Sequence, residues 1–81
     1  MALPVITADF NNADESGRLR LNLNGPMRDI ARLGLHLENG LRVILQDDDL
    51  EADGEVVFSA DEGIWVAKID WDAIRHVSRP A

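Results

Sequence analysis

Three groups of residues in this chain have the types and spacing to do chemistry. The densest is the acidic window Asp47-Asp48-Asp49-Leu50-Glu51-Ala52-Asp53-Gly54-Glu55. Hard cations such as calcium take several carboxylate oxygens from a flexible loop, and Asp49, Glu51, Asp53 and Gly54 match the opening of an EF-hand loop. The match ends at Ala60, which stands where the bidentate glutamate belongs. Solvated loop carboxylates are the plainer reading of the window and a calcium-responsive module the sharper one. The second group is aromatic and cationic. Trp65 and Trp71 fall on one face if the strand continues between them, and aromatic faces beside arginines form platforms for unpaired bases. Trp71 with Arg18, Arg20, Arg42 and Arg75 is the set of candidate RNA contacts. Against it, Asp70 and Asp72 would repel phosphate, and surface arginines commonly just solvate or pair with carboxylates. The third group is the hydroxyls Thr7, Ser16, Ser59 and Ser78. A nucleophile needs a base and an orienting group within reach, and no such set is readable here, so no catalytic, cofactor-binding or metal-binding residue is assigned.

Composition narrows the partners. The chain has 81 residues, no cysteine and a formal charge of −7. The lack of cysteine removes disulfides and thiolate metal sites, and His36 and His76 are far apart without ligand-spaced neighbours. The net charge opposes nonspecific attraction to nucleic acid or an anionic membrane. It is unevenly spread, because no basic residue lies between Arg42 and Lys68, a window holding eight acidic residues, while Arg18, Arg20, Arg28, Arg32 and Arg42 precede it. No apolar run approaches a membrane span and no targeting segment is evident, so cytoplasm is the default compartment. A domain this short buries only roughly 60 to 65% of its unfolded surface. Self-association is the expected supplement to so thin a core.

The elements that must position these residues follow from periodicity. Residues 1–17 mix apolar and small polar groups and end in turn formers, which reads as a loosely ordered arm before a single domain at 18–78. Leu19, Leu21 and Leu23 alternate with Arg20 and Asn22, predicting a strand over 18–23. Met27, Ile30, Ala31 and Leu33 then recur at helical spacing between Pro26 and Gly34, predicting a helix of about two turns. A three-residue loop at Glu38-Asn39-Gly40 would pair Leu37 with Leu41 and Leu35 with Val43, predicting a hairpin of strands at 34–38 and 41–46. The same device at Asp61-Glu62-Gly63 would set Phe58 opposite Val66 and Val57 opposite Ala67, in strands over 55–59 and 64–70. Both faces of that second hairpin are apolar, so one should meet a partner. The candidate subunit interface is Val57, Phe58, Trp65, Val66 and Ile69. Residues 71–77 read as a tight turn and a last strand. Five short strands and one helix predict an all-β fold of the small SH3-like or Sm-like barrel type, which removes exposed edges.

Two stretches resemble the Sm-like family, which includes a bacterial RNA chaperone. Leu37-Glu38-Asn39-Gly40-Leu41-Arg42-Val43 is similar to the Leu-x-Asn-Gly-x-Lys-Val turn of that family's first motif. Asp72-Ala73-Ile74-Arg75-His76-Val77 is similar to the His-Ala-Ile-Ser stretch of the second motif in the bacterial chaperone. The resemblance covers roughly residues 26–77 and implies a ring built by strand pairing between subunits, with RNA bound near the turns. The chain departs from the pattern in carrying Trp71-Asp72 where the chaperone has Lys-His, and in lacking the Arg-Gly of eukaryotic Sm proteins. The resulting expectation is a non-catalytic, homo-oligomeric interaction module with no small-molecule substrate. An RNA-binding ring and a calcium-responsive module are the alternatives.

Overall fold

The computed structural model describes residues 3–77, so Ser78 lies outside the described residues. The chain is a mainly β domain with one α-helix, its sheet curled into a half-barrel. The strands are β1 (Val5–Thr7), β2 (Leu19–Arg20), β3 (Arg42–Asp47), β4 (Leu50–Ser59), β5 (Ile64–Ile69) and β6 (Arg75–His76), with helix α1 (Asn24–Leu33) between β2 and β3. Their order is β1-β3-β4-β5-β2, with β6 paired to the start of β4. The long strand β4 organises the sheet. Its first half pairs with β3, as in Leu45 opposite Ala52, and its second half pairs with β5 on the other side, as in Val56 opposite Ala67. The small β-fold expected from the strand periodicity is therefore present, with its barrel open between β1 and β2.

One face of the sheet carries the core. Ile6, Leu19, Val43, Leu45, Ala52, Val56 and Ala67 are buried there, with Ala8, Phe10 and Leu21 from the flanking segments. Alternation explains the pattern, since successive strand residues point to opposite faces.

Residues 3–14 are part of this fold rather than a loose arm. β1 lies parallel to β3 with Ile6 opposite Leu45, and Ile6, Ala8 and Phe10 are buried. The segment after them turns back so that Ala13 bridges to Leu19.

The strand expected over 18–23 is regular only at Leu19–Arg20, although the Leu21 N–H still donates to the Trp65 carbonyl at 3.1 Å. The helix forms where expected but begins earlier, at Asn24, and it ends at Gly34, whose φ of 64° satisfies the left-handed position. The Gly34 N–H donates to the Ala31 carbonyl and the Leu35 N–H to the Ile30 carbonyl. This is the Schellman pattern, which usually brings an apolar contact between the same two positions. Both Leu35 and Ile30 pack against the core.

That cap overturns the hairpin expected over 34–46. Gly34 and Leu35 are consumed in closing the helix, and the β3 edge at Ile44–Gln46 is taken by β1. Only the turn survives, with the Leu41 N–H donating to the Glu38 carbonyl and Gly40 at φ 95°.

The β4–β5 hairpin forms with a register shifted by one. Ser59 lies opposite Ile64, so four residues form the loop and Phe58 faces Trp65 while Val57 faces Val66. The Gly63 N–H closes the loop onto the Ser59 carbonyl at 2.7 Å. After β5, a short 3-10 turn at Trp71–Ala73 leads into β6, matching the tight turn and last strand expected there.

Candidate functional site

The shifted register assembles an apolar site at the end of the β4–β5 hairpin. Phe58 and Trp65, directly opposite each other, meet edge to face with ring centroids 5.2 Å apart and planes at 75°. Such a pair gains about 0.5–1.5 kcal/mol beyond its burial. Phe58 nonetheless stays 46% exposed. Beside it runs a groove of about 180 Å3 walled by Leu21, Met27, Leu37, Ile64 and Trp65, with Asn22 as the one polar residue along it. The walls come from four places: the turn after β2, the first turns of α1, the segment after the helix cap, and β5. Met27 is 52% exposed at its lip.

The backbone under Phe58 is pinned. Its N–H points to the β3 side, where β3 has already ended, and donates to the Asn39 Oδ1 at 2.8 Å. Together with the Gly40 N–H to Val56 carbonyl bond and the Val56 N–H to Leu41 carbonyl bond, the 38–41 turn acts as a further partner for β4.

The other candidate interface residues are distributed differently. Val66 is fully covered by its own chain, and Val57 and Ile69 are half-buried. Val66 lies on the face opposite the core, where the β2 register sets Arg20 beside it. The 14–18 loop shares a depression on that side with Ser59, Asp61 and Glu62. The second apolar face of the hairpin is thus largely roofed from within the chain.

The candidate RNA contacts are spread over the surface, and only Arg42 and Arg75 of them line a common groove. Arg18 pairs with Asp14 at 2.8 Å. Arg20 makes a two-pronged contact to Glu62 at 2.8 and 2.7 Å and also donates to Asn12 and the Ala13 carbonyl. Arg75 reaches Asp53 at 3.1 Å and Glu51 at 3.6 Å. Arg42 is exposed and sits opposite Glu55 in the ladder. Arg42, Lys68 and Arg75 border one groove, which Asp53, Glu55 and Asp70 share. Its charges balance. Trp71 serves as a strap, its Nε1–H donating to the Gly17 carbonyl at 2.7 Å while its ring meets Phe10 edge-on at 6.2 Å.

The titration shifts belong to these pairs. Burial alone would raise the Asp14 carboxyl, but hydrogen bonds from the Arg18 backbone and guanidinium and from the Ser16 N–H hold it below its ordinary value. The Arg20 guanidinium lowers Glu62, and Glu62 in return raises Arg20. Asp53, with Glu51 contributing, raises Arg75. Asp29 is lowered chiefly by the Thr7 N–H, which donates to it at 2.7 Å. Each shift favours the charged form, the opposite of what a general acid or base at neutral pH needs.

The acidic window is spent in the same way. Asp47 accepts the Phe10 N–H at 2.9 Å, and residues 50–55 lie in β4 instead of a loop. Among the described residues no three His, Asp or Glu side chains converge as metal ligands. None of the described helices is long and apolar enough to cross a membrane. Comparison with protein-family models, curated proteins and solved structures returns no match.

The groove was not legible as such in the sequence, because three of its walls, Leu21, Met27 and Leu37, lie outside the strands that form the hairpin. The apolar character of Phe58 and Trp65 was the available signal.

Proposed function

We propose that this chain is a non-catalytic interaction module that works as a homo-oligomer, with the groove beside Phe58 as its contact surface. One observation carries the reading: a half-exposed phenylalanine stands next to an almost wholly apolar groove in a chain that ion-pairs or hydrogen-bonds most of its other conspicuous side chains. Exposed apolar patches of this kind mark association surfaces. At about 180 Å3 the groove falls below the roughly 300 Å3 where small-molecule sites begin, and it offers no charged group to orient a substrate. Room for one large side chain is what an interface anchor requires.

The Sm-like resemblance would make the module an RNA-binding ring. That reading needs cations free to neutralise phosphate, and Arg18, Arg20 and Arg75 already hold carboxylates. A calcium-responsive module would need the window at 47–55 to offer its oxygens to one point, whereas Asp47 and Asp53 are turned to separate partners. Self-association is the better supported reading.

Light scattering across a dilution series tests it. The expected result is a mass that rises above the 9.0 kDa of one chain with concentration. A single-chain mass at every concentration up to millimolar would overturn the proposal.

A further inference from the structure

Two asparagines of this chain precede glycine, in Asn24-Gly25 and Asn39-Gly40. We infer that Asn24 is a non-enzymatic modification site: the fold directs spontaneous deamidation to it and holds the same reaction back at Asn39.

The chemistry is intramolecular. Asparagine is among the thermolabile side chains, and its weakness is the main-chain nitrogen of the residue that follows. That nitrogen gives up its proton to solvent and attacks the side-chain amide carbon. The new N–C bond closes a succinimide ring while the bond to the amide nitrogen breaks and ammonia leaves. Water then opens the ring. Opening at the side-chain carbonyl gives aspartate and opening at the main-chain carbonyl gives isoaspartate, so either way water is consumed and ammonia released. Glycine favours the attack because it has no Cβ to obstruct the approach. By sequence the two sites should react alike, and Asn24 and Asn39 are both exposed.

At Asn39 both reacting groups are engaged. The Asn39 Oδ1 accepts the Phe58 N–H at 2.8 Å, and the Gly40 N–H donates to the Val56 carbonyl at 2.8 Å. Val56 and Phe58 belong to β4, so the amide carbon and the attacking nitrogen are each tied to the sheet. The ring closes only when these bonds open, and a reaction that needs local opening is slowed in proportion to how rarely the open form is populated.

At Asn24 neither group is engaged. Among the described residues the Asn24 amide makes no hydrogen bond and nothing accepts from the Gly25 N–H, which lies in the stretch of a helix where N–H groups lack intrahelical acceptors. Asn24 is the first residue of α1, and Leu23 before it gives no side-chain cap. Closing the ring asks Asn24 to leave helical geometry, and an uncapped first residue frays readily.

The two products act differently on the fold. Aspartate puts a carboxylate in a first turn that holds no acidic residue, where the free N–H groups favour negative charge. Isoaspartate runs the main chain through the former side chain. It thereby adds a methylene inside the turn closed by the Met27 N–H to Leu23 carbonyl bond at 3.0 Å. Met27 is a wall of the apolar groove, so the isomer reaches the groove through the helix.

Peptide mapping by mass spectrometry, over a time course at physiological temperature and mildly alkaline pH, tests the inference. In the folded chain Asn24 should deamidate about tenfold or more faster than Asn39, the protection expected when two ordinary hydrogen bonds must open. In urea sufficient to unfold the chain the two rates should converge. Gly25→Ala, whose new Cβ would stand at ordinary contact distance, 3.4 Å from the Thr7 Cγ2, should slow the reaction at Asn24 and leave Asn39 as it was. Equal rates in the folded chain, or a faster Asn39, would overturn the inference. So would a preference for Asn24 that persists unchanged in urea, because neighbouring sequence and not the fold would then set it.

Discussion

Replacing Gly54 by alanine separates steric crowding from backbone strain at the centre of the sheet. Gly54 is buried in mid-β4, with Val43 opposite on one side and Ile69 on the other. Its φ is not in the positive region, so alanine can adopt the backbone. The new Cβ would stand 2.7 Å from the Leu45 Cδ1, 3.1 Å from the Lys68 carbonyl oxygen and 3.3 Å from the Ile69 Cγ2. Two effects oppose each other. Alanine relieves the entropic cost of a strand glycine, about 0.5–1 kcal/mol, while overpacking a closed core costs about 1–3 kcal/mol. Leu45 is fully buried in a close-packed interior, where moving a side chain displaces its neighbours, and a backbone carbonyl yields only if the strand moves. Crowding therefore wins, by about 1–2 kcal/mol net. For a domain of this size that lowers the melting temperature by roughly 5–15 °C and the urea midpoint by about 1 M. Urea unfolding followed by tryptophan fluorescence measures it. Adding Leu45→Val should return part of the loss, a coupling of about 0.5 kcal/mol or more between the two sites. An unchanged or higher midpoint for Gly54→Ala would refute the reasoning, as would strict additivity in the double variant.

Two further substitutions address the hydrogen bonds that shape the site. Asp29 has its folded pKa depressed by the Thr7 N–H, so the stability it contributes is complete above its ordinary value near 3.8 and disappears as pH falls through the lower folded value. Asp29→Asn should therefore be less stable than the native chain at pH 6, with the difference in urea midpoint shrinking toward pH 3; a constant difference would mean that the carboxylate's charge is not what Thr7 holds. Gly63 has φ 68° and open space where a Cβ would go, so Gly63→Ala isolates conformational strain and should cost about 1–2 kcal/mol by the same unfolding assay. A neutral result there would indicate that the four-residue loop can close in another conformation.

How far the sequence reveals the fold depends on the range of the interaction concerned. The helix was readable because its signals are local: apolar spacing from Met27 to Leu33, Pro26 inside the start and Gly34 past the end. The same Gly34 misleads as soon as it is asked to begin a strand. Its neighbour Leu35 fits a strand by alternation with Leu37, yet the Leu35 N–H donates to the Ile30 carbonyl, one of the end groups that a helix leaves without an intrahelical partner. β1 was unreadable for a different reason. Val5–Thr7 is three residues long and its partner Ile44–Gln46 lies far along the chain, so no periodicity in the first seventeen residues marks the parallel pairing that buries Ile6.

The site itself turns on a single residue of loop length. Strand side chains have period two, so a slip of one exchanges every face. A loop of Asp61-Glu62-Gly63 puts Phe58 beside Val66, whereas adding Ala60 to it puts Phe58 beside Trp65 and leaves Val66 under the Arg20 side of the sheet. Apolar residues occur on both faces of this hairpin, so hydrophobic pattern could not choose between the two registers. The Gly63 N–H to Ser59 carbonyl bond and the Ser59 Oγ, which accepts the Glu62 N–H at 3.3 Å, belong to the four-residue loop. Glu62 is also the residue that holds Arg20. The loop thus anchors itself to β2, engages an arginine that was a candidate RNA contact, and leaves Phe58 and Trp65 together on the core face of the sheet. The ion pair and the aromatic site follow from the same register, which is why the basic candidates and the apolar candidates had to be resolved together.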